Sequence, residues 1–149
     1  MYIAFDPGKM TGWATFNNDG SVLAMGQVTI EELITLVDQL VLNNDLVLIK
    51  AVIYEDFIIF KHKARHLVGS RVEASQAIGI IKSLAQRTGA ELVMQGSDIK
   101  PMAQKFTQIY PVGSHSESHK IDAFNHGAWY LINKGIRKTA LEEEVEGAL

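Results

Sequence analysis

Residues 2–28, YIAFDPGKMTGWATFNNDGSVLAMGQV, decide the fold. Tyr2-Ile3-Ala4-Phe5 is a short apolar run stopped by Asp6-Pro7-Gly8, and reads as a strand with turn punctuation behind it. Residues 12–16 and 21–28 read as two more strands. Between them Asn17-Asn18-Asp19-Gly20 signals a hairpin, because Asp-Gly tolerates the positive φ of a type I′ turn. The chain therefore opens with a three-stranded antiparallel meander.

Behind the meander, Thr29 and Glu32 make a capping box. Leu33, Leu36, Val37 and Leu40 then repeat at helical spacing until Asn43-Asn44-Asp45. Residues 46–54 are a nearly continuous apolar run rich in β-branched side chains, the pattern of a central strand buried on both faces. Ser70 and Glu73 form a second capping box, for a helix through about Arg87 closed by Gly89. Residues 91–94 are another short strand. Ser97 is expected to cap a helix starting near Asp98, with Pro101 tolerated in its first turn. Residues 111–116 read as a loop. Ile121, Phe124, Ala128, Leu131 and Ile132 describe an amphipathic helix over 118–133. The order β-β-β-α-β-α-β-α-α predicts an α/β fold, a mixed five-stranded sheet of meander then parallel strands, flanked by helices. Residues 1–135 are expected to form this domain and 136–149 an acidic, mobile tail.

The 149 residues fit one domain, and 47% hydrophobic against 21% charged residues excludes disordered and fibrous classes. With no cysteine, disulfides, Cys-bound zinc and thiol nucleophiles are excluded. No apolar stretch is long enough for a membrane span, and the N-terminus lacks a signal-peptide pattern, so the expected compartment is the cytoplasm. The net charge of −3 conceals an asymmetry, since Glu142, Glu143, Glu144 and Glu146 all lie in the last eight residues. Over residues 61–87 the side chains Lys61, Lys63, Arg65, Arg71, Lys82 and Arg87 face only Glu73. That pattern suits a nucleic-acid partner and also suits a solvated helix face.

The chemistry centres on carboxylates. Asp6 ends the first strand and Glu55 ends the run 46–54, so neighbouring strands would carry both to one sheet edge, where α/β folds bind ligands. His119, Asp122 and His126 share one face of the last helix and can join them. Converging carboxylates repel unless a cation sits among them, and oxygen-rich sites suit Mg²⁺ or Mn²⁺. Two such ions stabilise both attacking and leaving oxygens in phosphodiester cleavage. Each signal alone has a plainer reading: Asp-Pro-Gly as a turn, Glu55-Asp56 as a solvated strand end, and His126 as a packed or water-facing histidine. A zinc trio of His115, His119 and Asp122 is less well placed, because His115 lies in a Gly/Ser loop.

Asp6-Pro7-Gly8 followed by Thr11-Gly12-Trp13-Ala14, then Tyr54-Glu55, then His119-x-x-Asp122-Ala123 opening a late helix, resembles the RuvC family of Holliday junction resolvases. The likeness spans roughly residues 2–134. It implies a ribonuclease H-like fold, a homodimer, and Mg²⁺-dependent nicking of four-way DNA junctions, with Mn²⁺ as a possible substitute. It also implies that Asp6, Glu55 and Asp122 hold two metal ions. His119 stands where relatives commonly place a fourth carboxylate, and would ligate metal or pass protons. Lys100 loosely matches a lysine that contacts the scissile phosphate. Lys61, Lys63, Arg65 and Arg71 match a basic DNA-binding loop and helix, with Lys105 a further phosphate contact. Phe57 and Phe60 could stack on unpaired bases, or equally continue a strand or pack a dimer. Competing readings keep the fold and change the substrate to flaps, other branched DNA or RNA, or make the chain a non-catalytic nucleic-acid-binding module.

Overall fold

The computed structural model describes residues 1–56, 68–111 and 117–149, with the side chains of 68–71 also left out of the description. Five strands, β1 (Tyr2–Asp6), β2 (Thr11–Phe16), β3 (Val22–Val28), β4 (Ala51–Glu55) and β5 (Glu91–Gln95), form one sheet in the order β3-β2-β1-β4-β5. The β1–β2 and β2–β3 pairs are antiparallel, while β4 runs parallel to both β1 and β5. This is the predicted meander followed by parallel strands. The helices are α1 (Ile30–Leu42), α2 (Val68–Thr88), α3 (Lys100–Thr107), α4 (Ser118–Asn133) and α5 (Ala140–Gly147).

Strand parity divides the core in two. Ile3, Phe5, Val52 and Tyr54 pack with Leu33 and Val37 of α1 and Ala77, Ile81 and Leu84 of α2. Tyr2, Ala4, Ala51 and Ile53 point to the other face, where Ala123, Phe124, Ala128 and Leu131 of α4 cover them. Each fully buried Leu, Ile or Phe side chain contributes about 1.5–3 kcal/mol. On the α4 side Ala4, Ala14 and Ala51 leave room for the helix to sit close to the sheet. At Gly127 a Cβ would collide with the Phe16 ring and Ala4, so no larger residue fits without moving α4. Among the described residues no helix is long and apolar enough to cross a membrane.

Several boundaries differ from expectation. The hairpin at 17–20 is not type I′, because only Gly20 has positive φ, and Gly20 N–H bonds back to the Asn17 carbonyl. Residues 46–50 do not join β4. The β1–β4 register starts at the Tyr2–Ala51 pair; before it the Lys50 N–H still bonds the Met1 carbonyl, while Leu46, Val47 and Leu48 are exposed. Thr29 and Glu32 form the expected box, whereas α2 begins at Val68, placing Ser70 inside its first turn. Ser97 lies in a 3₁₀ turn, Ser97–Ile99, with no side-chain cap, and α3 starts at Lys100. Beyond the expected boundary at 135, Ile136 packs on the second core and Arg137 stacks over Phe124 while donating to the Gly20 carbonyl. Helix α5 follows, opened by a Thr139–Glu142 capping box.

Candidate active site

Asp6, Glu55 and Gln95 are the last residues of three adjacent parallel strands, β1, β4 and β5. All three have the parity of the α4 face, with Tyr2 and Ala4, Ala51 and Ile53, and Val93 preceding them. The same alternation that buries the core therefore delivers their side chains to one edge beneath α4. From α4 itself come His119, Asp122 and His126, at the i, i+3 and i+7 spacing of a single helix face. Lys100 opens α3, next to the end of β5.

These residues meet through short contacts. His119 Nδ1 lies 2.8 Å from Asp6 Oδ2. Lys100 Nζ lies 2.8 Å from Glu55 Oε2 and 3.1 Å from Asp122 Oδ2, tying the two carboxylates together. His126 Nε2 is 3.0 Å from Glu55 Oε2, and its Nδ1 is 2.7 Å from Gln95 Oε1. Asp6, Pro7, Glu55, Asp56, Lys100, His119 and Asp122 line one cavity of about 210 Å³.

Electrostatics follow from that packing. Burial pushes the Asp6 carboxyl above its ordinary value, and Glu55 adds to this, while His119 and Lys100 pull the other way. Burial works against the Glu55 carboxylate too, but the bonds from His126 and Lys100 outweigh it and hold its pKa at about 2. Burial also opposes the Lys100 charge. The surrounding Asp6, Glu55 and Asp122 overcome that and hold it above its ordinary value. The hydrogen bond to Asp6 raises His119.

The donor chemistry fits a hard divalent cation: four carboxylates, Asp6, Glu55, Asp56 and Asp122, and one imidazole line a single cavity, and a cationic ammonium already stands among them. Among the described residues, no three His, Asp or Glu side chains stand in metal-holding geometry. The reason is visible in the contacts, since Lys100 takes up Glu55 and Asp122 while His119 takes up Asp6.

The structure thus brings Asp6, Glu55, His119, Asp122 and Lys100 together. His115 of the zinc alternative lies outside the described residues, as do Phe57, Phe60, Lys61, Lys63 and Arg65, and so does the Arg71 side chain on α2. Lys105 lines a different groove, with Phe106, Leu141 and Glu144 between α3 and α5. Sequence reasoning missed Gln95. It placed His126 on the face of His119 and Asp122 from its spacing, but favoured a packed or water-facing histidine over a site residue. For Gln95 the signal needs strand register, because it is the direct partner of Glu55.

No family model matches the chain, and no curated protein matches it. Solved structures do. T. thermophilus RuvC in complex with a Holliday junction substrate matches with a TM-score of 0.61 at 14% identity, over 93% of this chain and 98% of that one. Thermus thermophilus RuvC, in another structure, matches with 0.59 at 14% identity over the same shares, 93% and 98%. Fowlpox virus resolvase, in complex with Holliday junction DNA, matches with 0.54 at 13% identity, over 89% and 99%. At such identities the likeness speaks for architecture, and this chain has the ribonuclease H-like fold of the RuvC resolvases.

Proposed function

We propose that this chain is a structure-selective DNA endonuclease that resolves four-way junctions by metal-dependent phosphodiester hydrolysis. The observation that supports it most is the gathering of Asp6, Glu55, Asp122 and His119 with Lys100 in one cavity at the sheet edge. A module that only bound nucleic acid would gain nothing from carboxylates placed against phosphates. The solved structures of similar fold include two in complex with Holliday junction DNA.

In this reading Asp6, Glu55 and Asp122, with His119, hold the divalent cations, Mg²⁺ or Mn²⁺. Bound there, the ions would activate the attacking water and neutralise charge on the scissile phosphate. The chain's own residues do the rest. Asp6, at the end of a rigid central strand, orients the attack. His119, with Nδ1 engaged by Asp6, offers its Nε2 either to a cation or to a proton. The Lys100 ammonium offsets negative charge that grows on the phosphate in the transition state. Each chain carries one such cavity, and resolving a junction takes two cuts, so the working unit is a homodimer. Basic side chains of 61–71 and Lys105 supply phosphate contacts, and Phe57 or Phe60 a stacking surface.

A substrate panel tests this reading. End-labelled four-way junction, flap, linear duplex and RNA–DNA hybrid are offered to the chain with Mg²⁺, Mn²⁺ or chelator. Preferred cutting of the junction is the expected result. Preferred cutting of flaps or hybrids would keep the carboxylate centre and replace the substrate, and no cutting with either metal would overturn the assignment.

A further inference from the structure

The histidine buried under the carboxylate cavity has no part in the chemistry described so far. His126 is fully buried in the middle of α4, where Ala123, Phe124, Gly127 and Ala128 surround it in sequence. An apolar residue would serve helix packing there at least as well, since a buried imidazole must have both nitrogens satisfied. Both are: Nε2 meets Glu55 and Nδ1 meets Gln95. Glu55 and Gln95 are register partners across β4 and β5, so one ring ties together the ends of two strands.

We propose that His126 is a positioning residue for Glu55, anchored in turn by Gln95; the inference rests on reading the cavity as a nuclease centre. The direction of the bond follows from chemistry. A carboxylate only accepts, so Nε2 carries the proton whichever way the Gln95 amide is turned. With its amide N–H toward Nδ1, Gln95 selects the neutral Nε2–H tautomer. With its oxygen there, the ring donates from both nitrogens. Either way the Nε2–H is aimed at Glu55 Oε2.

Two donors share that oxygen, and they differ in permanence. Lys100 reaches it on a flexible stem with a quarter of its side chain exposed, whereas His126 is wholly enclosed. An incoming cation can displace the ammonium. It cannot displace the imidazole, which holds the carboxylate from the buried side. Without that hold, Glu55 can turn with Lys100 and lose its orientation toward a cation. Partners of this outer kind typically change metal affinity 10–100-fold.

The test measures Mn²⁺ binding by calorimetry on full-length protein, alongside thermal melts and the ring ¹⁵N spectrum of metal-free protein. His126→Met should weaken Mn²⁺ binding roughly 10–100-fold. His126→Gln, whose amide can place an N–H near the same point, should recover part of that loss. Gln95→Met should fall between wild type and His126→Met, and the double variant should be no worse than His126→Met alone. A purely structural role predicts no rescue by glutamine. Should His126→Met fail to fold, the half-buried Gln95 position carries the test. Folded His126→Met, or in its place Gln95→Met, binding Mn²⁺ like wild type would overturn the inference, as would an unprotonated Nε2 in the ¹⁵N spectrum. A wild-type chain that neither binds Mn²⁺ nor cuts junctions would overturn the nuclease reading, and this inference with it.

Discussion

His119 Nδ1 lies 2.8 Å from Asp6 Oδ2, although 113 positions separate the two residues. The approach depends on Gly12, the antiparallel partner of Asp6 across β1 and β2. A Cβ on Gly12 would collide with the backbone carbonyl of His119, so the first turn of α4 rests directly on this glycine.

Gly12→Ala should therefore push α4 off the sheet edge. Overpacking of a tight site costs about 1–3 kcal/mol, and cleavage should fall with it as His119 and Asp122 withdraw from Asp6. Urea unfolding and junction cleavage check this together. An unchanged midpoint with full activity would contradict the close packing.

Lys100 bridges Glu55 and Asp122, so Lys100→Met leaves the two carboxylates facing each other without the ammonium between them. The metal-free variant should melt below wild type, and added Mg²⁺ or Mn²⁺ should raise its melting temperature more than it raises that of wild type. Loss of a transition-state donor typically costs 10²–10³-fold in rate, and a comparable fall in cleavage is expected. Thermal shifts with and without metal provide the measurement.

The Glu55 carboxyl sets a pH dependence in the metal-free protein. Burial raises its pKa, but His126 and Lys100 outweigh burial and hold it at about 2, against an ordinary value of 4.5. Between those limits the unfolded chain binds more protons than the folded one, so this group's stabilisation is lost as pH falls from about 4.5 toward 2. Asp6, shifted upward, contributes the opposite slope. The informative quantity is thus the difference between wild type and Glu55→Gln, with wild type losing stability more steeply on acidification. Parallel curves would contradict it.

Arg137 stacks over Phe124 and donates to the Gly20 carbonyl, while the Ile136 and Arg137 amides bond to Leu131. A chain ending at Lys138 should melt within a few degrees of full length, and one ending at Gly135 well below it. Equal melting of the two truncations would contradict an anchoring role.

The strand ends of the site are legible from the chain because Asp6 and Glu55 each close an apolar run, and period-two alternation then dictates their face. The last helix is equally legible, as its 3.6-residue pattern places His119 and Asp122 together. Gln95 is different. Its meaning depends on β5 pairing in register with β4, a relation between residues 40 positions apart that no local pattern encodes. His126 hides for a related reason: the buried imidazole becomes distinguishable from a core residue only once Glu55 and Gln95 stand at its two nitrogens. The over-long reading of β4 has a different cause. Apolar β-branched residues mark strand propensity, but pairing decides the strand, and the register with β1 begins only at Ala51.

The most direct test of the central claim is cleavage of a four-way junction labelled in turn on each strand, by wild type and by Asp6→Asn, with gel-shift binding measured on the same preparations. The account predicts paired, symmetric nicks by wild type with Mg²⁺ or Mn²⁺, none with chelator, and none by Asp6→Asn, which should still bind the junction. Full cleavage by Asp6→Asn, or binding by wild type with no nick under either metal, would contradict it.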